Sequence, residues 1–197
     1  SDPITPLRGI REKLAGSSNV LYAKGSELVS AINTKEDADI ESKKLQLLRK
    51  RDEKLKNQAL EVARKADVII MCMGLSPSIE GEEMDVKIDG FLGGDRTSLD
   101  LPEVQQDLIK AIDALGKPVV LVLLNGSAVA VNWENTNVPA IIEAWYSGQA
   151  AGYAIPDVIF GDYNPGGRLP VTFYKAVEEL PPFEDYNMKG RTYRYFE

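Results

Sequence analysis

Four carboxylates, Glu80, Glu82, Glu83 and Asp85, fall within six residues of the stretch SIEGEEMD, directly after the apolar run ADVIIMCMG. Three uses fit such a cluster. A carboxyl crowded by like charge, or held against apolar surface, gains proton affinity and can act as a general acid near neutral pH. Ile79, Met84 and Phe91 are at hand to supply that surface, and Gly81 allows the backbone to turn so that the side chains diverge. Clustered oxygens also ligate calcium, although the D-x-[DN]-x-[DN]-G spacing is missing here. The third use is the plainest, a solvated acidic loop.

The chain has 197 residues and no histidine. Ser-His and Cys-His nucleophile pairs and the common His-containing zinc sites therefore cannot be built from it. Acid–base work falls to carboxylates, Lys or Tyr. Cys72 is the only cysteine, so it forms no internal disulfide, and its apolar surroundings in the sequence read as inert core packing. A net charge of −7 argues against a phosphate-backbone binder, which needs clustered Lys and Arg. No apolar run approaches the ~20 residues that span a bilayer, and SDPITPLRGIREKL lacks the apolar segment of a signal peptide. No nucleic acid, membrane, metal or cofactor is expected. The glycines of DGFLGGDR and NPGGR match no phosphate-binding fingerprint.

The acidic cluster needs elements to hold it. Hydrophobic content of 44% with 27% charged residues is that of a globular chain, and its length fits one domain. Thr5-Pro6 reads as an N-cap and first turn of a helix that stops near Gly16. NVLYAKG reads as a short strand, and 41–65 as a helix with a charged first half. ADVIIMCMG, VVLVLLNG and PAIIEAW are continuous apolar runs, the pattern of strands buried on both faces of a parallel sheet. LPEVQQDLIKAIDALGKP supplies a helix between two of them. GQAAGYAIPDVIFG reads as a small-residue helix packed on the sheet, and GRLPVTF as a last strand. Alternation of strands and helices predicts an α/β fold, a three-layer α/β/α sandwich around a mostly parallel sheet, flavodoxin-like. Ligands of such sheets bind where the strands end at their carboxyl edge. Residues 75–100 form one long loop at that edge, longer than connections that merely link elements.

The segments TPLRGIREKL, NVLYAKG, ADVIIMCMG, SIEGEEMD, GGDRTSLDLPEVQQDLIKAI, GKPVVLVLLNGSAVAV and VPAIIEAWYSGQAAGYAIPDVIFGDYNPGGRLPVTFY, with RTYRYFE at the end, resemble in order the second domain of glycoside hydrolase family 3. The resemblance spans nearly the whole chain and is most specific in GGDR…LDLP with GDYNPGGRLP. It implies a retaining β-glucosidase or β-xylosidase acting on β-linked oligosaccharides or glycosides. In that scheme substrate lies between this domain and a (β/α)₈ barrel that carries the aspartate nucleophile. The acid/base glutamate comes from the acidic loop. By resemblance Glu80 fills that role, because S-I-E-G matches the family's S-G-E-G, with Glu82 the alternative and Glu83 and Asp85 in support. Asp95 and Arg96 are expected to pair and clamp the loop, or to contact sugar. Trp145 and Tyr146 read as core or interface, with stacking on a sugar ring the other use. The resemblance further implies that 1–197 is a single domain excised from a larger secreted or periplasmic enzyme whose barrel is absent. A non-catalytic carbohydrate-binding module and a cation-binding regulatory domain are the competing readings.

Overall fold

The computed structural model describes residues 2–29, 38–86 and 88–191. The loop position Lys87 and the final RTYRYFE beyond Arg191 lie outside the described residues. The fold is α/β, as expected. Three parallel strands, β1 (Ile69–Gly74), β4 (Val119–Leu124) and β5 (Ala140–Glu143), form a sheet in the order β1-β4-β5. Their register aligns Ile69 with Val119 and Val120 with Ala140, so all three strands deliver their ends to one edge.

One face of this sheet carries the core. Met71, Val119, Leu121 and Leu123 pack with Ala59 and Ala63 of α2 (Ala38–Lys65) and with Leu108, Ile109 and Ile112 of α3 (Glu103–Asp113). These positions follow period 2 in the strands and 3.6 in the helices, which is why the apolar pattern was readable. The charged first half of α2 is solvated, as its composition demands; Leu47 is 68% exposed.

At the end of β1, Gly74 takes φ 136°, and a Cβ there would lie 2.0 Å from the Leu124 carbonyl oxygen. The chain leaves the sheet at this residue because only glycine fits it. Gln105 of α3, 2% exposed, then serves both peptide groups of Gly74. Its Oε1 accepts from Gly74 N at 2.7 Å, and its Nε2 donates to Gly74 O at 2.7 Å and to Leu28 O at 2.9 Å. Gln105→Leu strands these buried groups, at about 1–3 kcal/mol for each left unmade. The expected outcome is a Tm roughly 5–15 °C lower, read by differential scanning calorimetry.

Helix α1 (Pro6–Lys13) forms as read, with the Thr5 hydroxyl accepting from Arg8 N. It packs on α5 (Ala151–Ile159). The small-residue helix thus meets α1 rather than lying tightly on the sheet, and Gly9 against Gly152 is the point of closest approach. Lys13 bridges to Asp157 and Asp162 at the end of α5.

Two expected strands do not form. NVLYAKG forms no ladder, standing off the β1 edge across a cavity of about 1020 Å³ lined also by Ile10, Leu14, Ile70 and Phe160. GRLPVTF is likewise without a ladder, and Val171 is 54% exposed. A strand pattern supplies a side-chain preference, but the ladder needs a neighbour's free edge at hydrogen-bonding distance. Cys72 corrects a third expectation. Because that cavity opens along the edge strand, the residue is exposed rather than sealed in the core, although the apolar walls still desolvate the thiolate and push its pKa up.

A short helix, α4 (Asn132–Asn137), had no signature in NWENTN. Its turn is held from outside, by Trp133 packed against the core with Lys110 6.0 Å from its ring centroid.

Candidate functional site

The loop from Leu75 is more ordered than its length suggested. It contains a two-stranded antiparallel ribbon of β2 (Phe91–Leu92) and β3 (Asp95–Arg96), so the expectation of a loop without secondary structure is corrected. Its apolar residues are its roots. Leu75, Ile79 and Phe91 are buried in the core cluster, which fixes the loop's base by the same burial that stabilises any core.

The ribbon's glycines fix the tip. Gly81 N donates to Gly94 O at 3.3 Å, and Met84 N donates to Gly93 O at 2.8 Å. A Cβ on Gly94 would stand 1.8 Å from the Gly81 carbonyl oxygen. GGDR is therefore a glycine crossing, in which two backbone arms touch. The chain bends at Gly81, and Glu83 after it takes a φ of 50°, unusual for a residue with a side chain. Glu82, Glu83 and Asp85 are exposed on this turn.

Glu80 points the other way. Its Oε1 accepts from Gly126 N at 2.6 Å and Ser127 N at 3.0 Å, and its Oε2 accepts from the Ser127 hydroxyl at 3.0 Å. The Tyr146 ring sits beside the same turn; burial first, and then the Glu80 carboxylate, push the phenol's pKa well above the usual value. The half-buried Glu80 thus joins the loop to the turn after β4.

Arg96 completes the arrangement without Asp95. Successive strand residues point to opposite faces, and Asp95 is turned to solvent while Arg96 reaches inward. No ion pair joins the two among the described residues, which corrects that expectation. Arg96 instead donates to Ser98 O at 2.8 Å, Asp100 O at 2.9 Å and the Ser127 hydroxyl at 3.2 Å, over the Phe91 ring at 5.3 Å. Burial lowers its pKa, opposed by the Glu80 and Asp100 charges. Ala130 N donates to Leu99 O at 2.7 Å and closes the far end of the loop.

Beside this lies a second polar group. Glu143, at the end of β5, accepts from Trp145 N at 3.0 Å and from Asn125 Nδ2 at 3.3 Å. Burial raises its pKa against those two bonds. Trp145 itself, with φ 54°, meets Phe173 edge-on at 5.8 Å between centroids, an internal contact as expected. Among the described residues no three acidic or cysteine side chains are placed to share a metal ion, and no helix is long and apolar enough to cross a membrane.

Sequence reasoning missed Gly126, Ser127, Asn125 and Glu143. The available signal was N-G-S directly after a buried strand, where a turn at the carboxyl edge must bring free N–H groups to the loops above it.

A parallel α/β sheet with helices packed on it and an anchored acidic loop at its carboxyl edge defines a domain of the α/β sandwich class. The chain belongs to glycosyl hydrolase family 3, whose C-terminal domain matches residues 2–197. It is 58% identical over 129 residues to a xylan 1,4-β-xylosidase of Xylanibacter ruminicola, a match covering 66% of this chain and 15% of that protein. It is 33% identical over 190 residues to a periplasmic β-glucosidase of Salmonella typhimurium, covering 96% of this chain and 24% of that one. Among solved structures, a β-glucosidase of Erythrobacter marinus superimposes with a TM-score of 0.72 at 30% identity, over 92% of this chain and 24% of that one. An exo-β-xylosidase of the same family gives 0.69 at 30% identity, over 95% and 20%. The chain thus spans less than a quarter of the length of each of these relatives.

Proposed function

We propose that residues 1–197 form one domain of a larger, secreted or periplasmic, retaining β-glycosidase that removes terminal β-linked xylose or glucose from oligosaccharides or glycosides. In this reading the aspartate nucleophile stands in a barrel domain of the same protein, and this chain contributes the acid/base carboxylate. The observation that carries it is the acidic turn itself. Glu82 is exposed at the tip of a loop rooted in the core, crossed by Gly93 and Gly94, and fastened through Glu80 and Arg96. A rigid support is what an acid needs when small misplacements are costly. Of the two glutamates, Glu82 is the one free to reach an outside molecule, and we assign it the proton transfer. The similarity to xylosidases and glucosidases supports the substrate class. Phe183 and Tyr186, 88% and 81% exposed, are the kind of apolar surface that meets a partner domain.

Retention requires two carboxyl groups ~5–5.5 Å apart, one attacking the anomeric carbon and one protonating the leaving oxygen and then activating water. The isolated 197-residue chain therefore lacks turnover of 4-nitrophenyl β-xyloside and β-glucoside. The protein joined to its barrel turns one of them over and first releases the β-anomer, as followed by proton NMR. Hydrolysis by the isolated chain, or first release of the α-anomer, would refute the reading.

A further inference from the structure

We propose that Glu80 is a positioning residue, a latch that fastens the acidic loop to the turn after β4 and thereby sets where Glu82 stands. This rests on the functional reading above and divides between the loop's two glutamates work that their sequence leaves undivided.

The geometry of the Glu80 carboxylate carries the assignment. Oε1 accepts two backbone N–H groups, from Gly126 at 2.6 Å and Ser127 at 3.0 Å, and Oε2 accepts the Ser127 hydroxyl at 3.0 Å. Among the described residues its three donors all belong to the turn after β4. A carboxyl that protonates a glycosidic oxygen must carry a proton and present it outward. Three of the roughly four lone-pair sites of Glu80 are taken by this turn, which holds both oxygens toward the domain rather than outward.

The packing leaves no slack. A Cβ on Gly126 would fall 2.5 Å from Glu80 Oε1 and 2.7 Å from Tyr146 Cε2, so glycine is needed for the three to meet. Arg96 shares the Ser127 hydroxyl and binds the carbonyls of Ser98 and Asp100, which ties the incoming and outgoing arms of the loop to one turn. Glu80 is two residues from Glu82. Between them Gly81 is held to Gly94, so a change in the latch is passed to Glu82 over one constrained peptide.

The test compares Glu80→Gln with Glu80→Ala in the protein joined to its barrel, using xylobiose, cellobiose and 2,4-dinitrophenyl glycosides, with and without azide. A glutamine keeps Oε1 for the two N–H groups, and its amide can donate to Ser127 Oγ, so E80Q retains activity on the disaccharides to within about tenfold. E80A loses about a hundredfold. Neither forms a glycosyl azide, because the Glu82 carboxylate remains. If E80A does not fold, Ser127→Ala combined with Tyr146→Phe removes one donor and the phenol beside the carboxylate and leaves Glu80 in place; kcat on the disaccharides then falls about tenfold with KM little changed. E80Q as inactive as E80A, glycosyl azide from E80A, or unaltered rates in E80A or in the double variant each overturn the latch. Absence of turnover by the parent protein would instead overturn the functional reading.

Discussion

Replacing Glu82 by alanine lowers kcat/KM on xylobiose or cellobiose by about a thousandfold, the middle of the range for a positioned general acid. The loss is small for 2,4-dinitrophenyl glycosides in the first step, because that leaving group departs without a proton. Water is then no longer activated for the second step, so a glycosyl-enzyme accumulates and a burst precedes slow turnover. Azide needs no general base and enters the space left by the carboxylate, so it restores rate and yields a β-glycosyl azide. Glu82→Gln is as slow as E82A on disaccharides, since an amide cannot donate the proton. This is the contrast with Glu80, where the amide keeps the bonds that matter. Disaccharide turnover by E82A within tenfold of the parent would remove Glu82 from the proton transfer.

Gly9→Ala separates the α1–α5 pair. A Cβ at Gly9 would lie 1.4 Å from the Gly152 carbonyl oxygen and 2.5 Å from its carbon. Both are backbone atoms in a helix, so no side chain can rotate away to make room. Nor can the helices part freely. Gly152 N donates to Ile4 O at 2.9 Å, and Ile4 N to Gln149 O at 3.0 Å, which ties the entry of one helix to that of the other. Relief requires the whole crossing to shift, breaking these bonds and reopening the apolar contacts around Ile10 and Ile155, which are 7% and 5% exposed. Overpacking commonly costs about 1–3 kcal/mol; against two rigid backbones about 3 kcal/mol or more is expected, a Tm lowered by roughly 6–12 °C. Thermal inactivation accelerates accordingly. An unchanged Tm would mean that the crossing is not close-packed in solution.

The carboxylates show how legibility was divided. SIEGEEMD and its place after a buried strand were visible, and so were β1, β4, β5 and α3, because long apolar runs and amphipathic periods report burial directly. The direction of each carboxylate was not visible. Glu80 turns inward because Gly126 and Ser127 offer N–H groups at the end of a strand, 46 and 47 residues away in the chain, and Asp95 parts from Arg96 because a two-residue ribbon alternates its sides. The failures have one cause. NVLYAKG and GRLPVTF carry strand composition without an edge within hydrogen-bonding distance, and NWENTN becomes a helix through contacts that composition does not encode.

The order of residues thus determined by itself the α/β class, the three buried parallel strands at its centre, the absence of histidine chemistry and the presence of an acidic segment at the ligand edge. These follow from local periodicity and from which side chains exist. The tertiary structure alone decided that Glu80 is bonded inward while Glu82 is left exposed, that Arg96 bonds the loop without Asp95, and where two helices touch through glycine. Each of these depends on hydrogen-bond donors or backbone surfaces brought together from distant parts of the chain, and no spacing within one segment records them.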